Sequence, residues 1–337
     1  MDTTLSTFTP RVPGDPAVIG PYTILGRLGQ GGMGTVYLGR TDDGHQAAVK
    51  LVRPELARDA DFRRRFATEV DNAQRVASFC TAAVLGHGAY GDRPYLATEY
   101  IDGPTLQARL DGEGALPHGA LQSLAVGVAA ALTAIHAAGL VHRDLKPSNV
   151  ILSITGPRVI DFGISRSLDS TADLTATGVV LGTPGWLAPE RILRNVAGPA
   201  ADIFTWGCLV AYAGTNRHPY GTGDPVSMAG RALHGEPDLE GLPAPLTDLV
   251  RTALDSDPAT RPTARELLLT LTGGSTPDPV ITRTDHPPAS RPDEVLTSSI
   301  TEPAPVSGRR PWRRLALGGL VFVVGIALLA IGVLLLP

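Results

Sequence analysis

The apolar positions along the chain change period from block to block, and each block predicts an element. Asp61 to Val76 carries Phe62, Phe66, Val70, Ala73 and Val76 close to helical spacing, which predicts an amphipathic helix with Glu69 beside its stripe. A second stripe, Leu121, Leu124, Ala125, Val128, Leu132 and Ile135, predicts a helix that stops at Gly139, a residue suited to the left-handed position after a helix end. The run that begins at Asp202, DIFTWGCLVAYAG, fits a buried central helix, and apolar helical patterns run out near Leu271. Between these blocks the chain favours strands. Tyr22 to Arg40 reads as two β-runs around a glycine cluster, Pro94 to Leu106 as a strand entering an extended linker, and the stretch between Asn149 and Asp161 as a hairpin.

The two ends differ from the middle. Residues 1–21 are rich in Thr, Pro and Asp and lack both a charged n-region and an apolar h-region, so a flexible N-terminus without a secretory signal is expected. Residues 273–314 are rich in Pro, Ser, Thr and Gly with little apolar periodicity, the composition of a disordered linker. Leu315 to Leu336 then has no charged or hydrogen-bonding side chain over 22 residues, enough at ~1.5 Å per residue to cross a ~30 Å hydrocarbon core. Arg309, Arg310, Arg313 and Arg314 precede this transmembrane helix and Pro337 alone follows it, which places the preceding domain in the cytoplasm of a single-pass protein of the cell membrane. Gly318, Gly325 and Gly332 recur along one face of that helix, so it is either a simple anchor or a packing face for a homodimer.

Composition narrows the classes. A length of 337 residues accommodates a domain of ~250 residues with appendages, and a net charge of −4 gives no support for a nucleic-acid partner. Cys80 and Cys208 lack metal-ligand spacing and read as free thiols in a reducing compartment.

Chemistry concentrates between Leu140 and Gly163, LVHRDLKPSNVILSITGPRVIDFG, where Asp144, Lys146, Asn149 and Asp161 bring carboxylates, a carboxamide and cations into one loop and hairpin. Such a set suits phosphoryl transfer, which needs positioning and charge neutralisation more than covalent help. Asp and Asn oxygens suit a hard cation. Upstream, Gly29, Gln30, Gly31, Gly32 and Gly34 form a glycine-rich turn followed by Val36, and a strand, not a helix, follows them, unlike the turn of dinucleotide-binding folds.

The spacing of His142-Arg143-Asp144, Asn149 and Asp161-Phe162-Gly163 resembles the catalytic and metal-binding loops of protein kinases, and Lys146 points to the serine/threonine branch. The resemblance covers roughly residues 22–272 and is similar to bacterial, eukaryotic-like (Hanks-type) kinases of the receptor type, although no sensor domain is expected after the membrane helix. It implies an α+β, bilobal fold with a small β-rich N-lobe and a larger helical C-lobe, joined to the C-terminal transmembrane helix. ATP and Mg²⁺, with Mn²⁺ as a substitute, are the implied cofactors, and protein substrates with Ser or Thr acceptors the implied partners. By the same resemblance Asp144 is the catalytic base, Lys146 steadies the moving phosphoryl group, and Asn149 and Asp161 hold the metal. Lys50 contacts the phosphates and pairs with Glu69, while Ala48, the gatekeeper Thr98 and the backbone from Glu99 to Ile101 receive the adenine. A Ser/Thr-rich regulatory segment ends at Ala188-Pro189-Glu190. In it Thr175 or Thr177 is the expected phosphorylation site, Arg143 the receiver of that phosphate, and Thr183 part of the acceptor pocket. Asp202 is expected to hold the catalytic-loop backbone and Arg261 to pair with Glu190, while His136 reads as a core histidine. A pseudokinase scaffold at the membrane is the main alternative, and a small-molecule phosphotransferase a further one.

Overall fold

The computed structural model describes residues 8–162, 185–194 and 196–274. Strands β1 (Thr9–Pro10), β2 (Val18–Ile19), β3 (Tyr22–Gln30), β4 (Gly34–Arg40), β5 (Gln46–Val52), β6 (Val84–Tyr90) and β7 (Arg93–Glu99) build the N-lobe. They form one sheet in the order β1-β3-β4-β5-β7-β6, with β2 also on β3, and every pairing is antiparallel. Short α1 (Pro54–Ala57) and longer α2 (Ala60–Ala73) lie between β5 and β6. Asp59 caps α2 by accepting from the Asp61 and Phe62 N–H groups, and the expected stripe Phe62, Phe66, Val70 and Ala73 is buried.

The strand register decides which side chains meet. Val36 lies opposite Lys50, Leu38 opposite Ala48, and Ala48 opposite Thr98, so Val36, Ala48, Lys50 and Thr98 share one face of the sheet. Tyr37, Val49, Tyr95 and Ala97 face the other way and pack with Ile19, Tyr22 and Ile24 in a separate apolar cluster.

The N-terminal expectation needs correction. Within residues 8–21 two short strands join the sheet: Thr9 pairs with Arg27 and Val18 with Thr23, and Ile19 is fully buried. Asp15 anchors the stretch. Its carboxylate, 1 % exposed, accepts from Arg27 Nε and Nη2, from the Tyr37 hydroxyl and from the Val12 N–H, and the Arg27 guanidinium holds its pKa down to about 2. The order comes from one carboxylate and one isoleucine, too few positions to show as a period.

The C-lobe contains α3 (Leu106–Glu113), α4 (His118–Ala137), α5 (Pro189–Arg194), α6 (Pro199–Thr215), α7 (Pro225–His234), α8 (Ala244–Ala253) and α9 (Ala264–Leu271), with a hairpin of β8 (Val150–Ser153) and β9 (Gly156–Val159). Helices α4 and α6 form its centre, with Leu124, Val128, Phe204 and Trp206 buried between them and their neighbours. The Trp206 Nε1–H donates to the Ala125 carbonyl at 3.1 Å. Among the described residues α4 is the one helix long and apolar enough to cross a bilayer, and its apolar positions lie inside this core. The expected linker beyond Gly274 and the expected transmembrane helix over 315–336 lie outside the described residues.

Candidate active site

The glycine-rich turn joins β3 to β4 and is closed by the Gly31 N–H on the Gly34 carbonyl at 2.9 Å. Arg53 ties it to the sheet, its Nη2 donating to the Gly31 carbonyl at 2.6 Å and its N–H to the Met33 carbonyl at 2.9 Å. A Cβ at Gly34 would collide with the Leu51 carbonyl on β5, so only glycine lets the two strands approach there. At Gly29, Gly31 and Gly32 a Cβ would meet nothing within 4 Å, and Gln30 is exposed at the end of β3, so this turn borders open space. Half-buried Val36, Ala48 and Thr98 stand on the face beneath it. At the end of β7 the Glu99 N–H donates to the Ala83 carbonyl at 2.8 Å, and Ile101, two residues on, is buried.

Helix α4 delivers the catalytic loop through a left-handed glycine. Gly139 has φ +75°, its N–H donates to the His136 carbonyl and the Leu140 N–H to the Ile135 carbonyl, the bond pair of a Schellman ending. The chain then crosses the core under the control of Asp202 on α6. This carboxylate, 2 % exposed, accepts from the His142 N–H at 2.7 Å and from the Arg143 N–H at 2.9 Å, and lies 2.8 Å from His136 Nε2. His136 is therefore a half-buried partner of Asp202, in keeping with a structural role. His142 Nδ1 accepts from the Asp144 N–H at 3.3 Å, and burial pushes the imidazole's pKa below its ordinary value, against the pull of Asp202 and Asp144. With Nδ1 accepting, the neutral form of this ring carries its proton on Nε2.

Asp144 and its neighbours form one polar group. Lys146 Nζ is 2.9 Å from Asp144 Oδ2, and Asn149 Nδ2 donates to the Asp144 carbonyl at 2.7 Å and to Oδ2 at 3.3 Å. Committing Nδ2 in this way leaves Oδ1 of Asn149 as its ligand atom. The following hairpin brings Asp161 back to the sheet with φ +58°, and its Oδ2 lies 3.0 Å from Lys50 Nζ.

The expected Lys50 to Glu69 pair is not formed. Lys50 pairs with Asp161, and Glu69 Oε1 lies 3.7 Å from Arg143 Nη1. Two acids and two cations face one another here, and α2 is placed so that Glu69 meets the catalytic-loop arginine while the sheet lysine meets the hairpin aspartate. Arg143 has the left-handed φ of +67°, unusual for a side-chain-bearing residue, and its carbonyl accepts from Arg191 Nη1 at 2.7 Å. Gly163, Thr175, Thr177 and Thr183 lie outside the described residues. The pair between Glu190 and Arg261 is present and bidentate, with bonds of 2.9 and 3.0 Å, and the Arg261 guanidinium also lies over the Phe204 ring.

The donor set fits Mg²⁺ and a nucleotide triphosphate. Among the described residues no cluster of three His, Cys, Asp or Glu could cage a metal, whereas Asp161 and Asn149 supply the one or two protein oxygens that Mg²⁺ takes when phosphates and water complete its shell. The open turn and the Lys50 ammonium provide for the phosphates.

Two arginines outside the motifs also matter. Arg158 on β9 donates from Nη2 to the Glu99 carboxylate at 2.6 Å and to the carbonyls of Ser78 and Thr81, joining the C-lobe hairpin to the hinge. Arg191, directly after Glu190, is 7 % exposed and reaches the catalytic loop. The available signal was a cation placed among apolar residues, as in Pro157-Arg158-Val159-Ile160.

Comparison with known proteins agrees with this geometry. The protein kinase domain family matches residues 22–270. The probable serine/threonine-protein kinase PkwA of Thermomonospora curvata is 44% identical over 269 residues, covering 80% of this chain and 36% of that protein. The serine/threonine-protein kinase AfsK of Streptomyces coelicolor is 46% identical over 255 residues, covering 75% of this chain and 32% of that protein. The chain thus spans about a third of the length of these relatives. The crystal structure of the Mycobacterium tuberculosis PknI kinase domain superposes with a TM-score of 0.60 at 28% identity, covering 76% of this chain and 96% of that one.

Proposed function

The chain belongs to the protein kinase family, and from that premise we propose that it transfers the γ-phosphoryl group of ATP to serine and threonine hydroxyls of proteins. The observation that carries this reading is the convergence of Asp144, Lys146 and Asn149 on one side of the cleft with the Lys50 to Asp161 pair on the other. ATP with Mg²⁺ supplies the phosphoryl group and the charge neutralisation. Asp144 accepts the proton of the acceptor hydroxyl. Lys146, beside it, offsets charge on the transferring oxygens, and Asn149 holds the Asp144 backbone while offering Oδ1 to the metal. Lys50 orients the phosphates and Asp161 binds the metal. The serine/threonine preference rests on Lys146 and on the names of the relatives.

Regulation follows from the charge pairing. A phosphate on Thr175 or Thr177 carries about −1.5 to −2 charge at neutral pH and competes with Glu69 for Arg143. Glu69 released in this way is available to Lys50, which completes the phosphate-binding arrangement. We assign autophosphorylation to these threonines and acceptor recognition to Thr183. The apolar run over 315–336 anchors the protein in the cell membrane with the kinase domain cytoplasmic, and its glycine stripe pairs two copies.

The test is phosphate transfer from radiolabelled ATP with Mg²⁺ to a basic protein substrate, by the wild type and by folded Lys50→Met and Asp144→Asn variants. Loss in both variants supports the reading; a wild type with no transfer favours the pseudokinase scaffold. Mass spectrometry locates the activation-segment phosphate, protease protection in spheroplasts reads the topology, and Gly325→Leu tests the pairing of copies.

A further inference from the structure

The Arg143 residue is held from three sides. Its N–H donates to Asp202 on α6, its side chain meets Glu69 on α2, and its carbonyl accepts from Arg191 on α5 at 2.7 Å. The backbone at this residue is left-handed, with φ +67°, a conformation that a non-glycine residue keeps only when its surroundings enforce it. The carbonyl that Arg191 grips belongs to the peptide group whose nitrogen is that of Asp144, and that N–H is fixed in turn on His142 Nδ1. A rotation of this one peptide plane would swing the Asp144 carboxylate away from Lys146 and Asn149. The cation that resists the rotation is 7 % exposed, so its bond to this carbonyl is shielded from competing water.

The helix that carries Arg191 is itself secured. Glu190, the preceding residue, makes the bidentate bond to Arg261 in the base of the C-lobe. Arg191 therefore joins a firmly held point at the end of the regulatory segment to the peptide that aims the catalytic carboxylate. We infer that Arg191 is a positioning residue for Asp144, coupling the placement of the Ala188-Pro189-Glu190 end of that segment to the geometry of proton acceptance. The inference rests on the kinase reading above.

Single-turnover phosphoryl transfer from ATP with Mg²⁺ to a protein substrate tests it, in the full chain, for the wild type, Arg191→Met, Arg191→Lys, Asp144→Asn and the double variant Arg191→Met/Asp144→Asn. Misplacement of a reacting group by about 1 Å costs on the order of 10²-fold, so Arg191→Met is expected to lower the transfer rate by about 10- to 100-fold with little change in the KM for ATP. Arg191→Lys, which keeps a cationic donor, is expected to recover part of the loss. In the Asp144→Asn background Arg191→Met is expected to cost nothing further, because residues that act as a unit are non-additive. Hydrogen exchange supplies a readout free of activity: the amides of His142 to Asp144 exchange faster in Arg191→Met while those of α6 keep their protection. Equal single-turnover rates of the wild type and Arg191→Met overturn the inference, as does a loss of the same factor in both backgrounds, which marks a general structural effect. A wild type that transfers no phosphate at all overturns the kinase reading and the inference with it, so the two failures are told apart by the first measurement.

Discussion

Replacing Asp202 by asparagine removes a charge on which the catalytic loop converges. The carboxylate takes the His142 N–H at 2.7 Å, the Arg143 N–H at 2.9 Å and a His136 ring nitrogen at 2.8 Å. Asparagine keeps one carbonyl oxygen and turns an NH₂ donor toward this set, so at least one donor is left facing another donor. A hydrogen bond to a charged group contributes about 1.5–3 kcal/mol, and a buried unmet donor costs about 1–3 kcal/mol, so the substitution is expected to destabilise the domain by roughly 3 kcal/mol. In a domain of this size each kcal/mol moves Tm by about 2–4 °C, which puts the fall at roughly 6–12 °C by scanning calorimetry. Because the lost bonds also set the backbone entering Asp144, the phosphotransfer rate at about 20 °C, where the variant is still folded, should fall as well. A Tm within about 2 °C of wild type, or an unchanged rate, would refute the idea that this carboxylate holds the loop in place.

Glu190→Gln leaves the Arg261 cation, whose side chain is 0 % exposed, without its counter-charge, and breaking such a buried pair costs about 3–5 kcal/mol. Calorimetry should show a smaller loss for Glu190→Met/Arg261→Met than for the sum of the single changes. Asp15→Ala should lower Tm and speed hydrogen exchange over residues 8–20 while β5 amides stay protected; unchanged exchange would mean that Arg27 and Tyr37 do not need the carboxylate. His218 is buried, and burial lowers its pKa from 6.5 to about 4. The unfolded chain therefore binds the extra proton first, so the stability this neutral ring supports is complete above its unfolded pKa and is lost as pH falls from 6.5 toward 4. Between about pH 7.5 and pH 5 the loss is about 2 kcal/mol by linkage, and His218→Phe should flatten that part of the Tm–pH curve; an equal slope in the variant would assign the dependence elsewhere.

What could be read in the sequence was set by chain-local rules. The stripes that became α2 and α4, the left-handed Gly139, the turn around Gly31 and the Asp144 to Asn149 spacing each depend on a few neighbouring residues, and the protein kinase match covers the same stretch. The long-range contacts of Asp202 and of Glu190 with Arg261 could also be named, because a family resemblance carried them. The partner of Glu69 could not. It depends on how far α2 stands from the sheet relative to the catalytic loop, a rigid-body quantity that no local period encodes. Residues 8–21 were missed for a different reason: short strands held by Asp15 and Ile19 resemble any polar terminus in composition. Arg191 escaped because it acts through a backbone carbonyl, which leaves no mark in the residue types around it, and Arg158 because its partners, the Glu99 carboxylate and the Ser78 and Thr81 carbonyls, are distant in sequence.

The apolar cluster on the outer face of the sheet has a consequence for how the molecule comes apart. Ile19, Tyr22, Ile24, Tyr37, Val49 and Tyr95 form a body distinct from the large core, whereas Val52, Leu96, Phe66 and Val70 on the cleft side are continuous with α4 and α6. The sheet is thus a wall shared by two cooperative units of unequal size, and the smaller can lose its packing while the larger persists. The described tryptophans, Trp186 and Trp206, sit in the C-lobe, and tyrosines supply the outer cluster. Tryptophan fluorescence therefore follows the C-lobe, whereas tyrosine absorbance reports the outer cluster through Tyr22, Tyr37 and Tyr95 as well as the C-lobe through Tyr212 and Tyr220. On heating, the tyrosine signal should move first, with an early, shallow transition that strips the glycine-rich turn of its backing before the helical base has begun to melt.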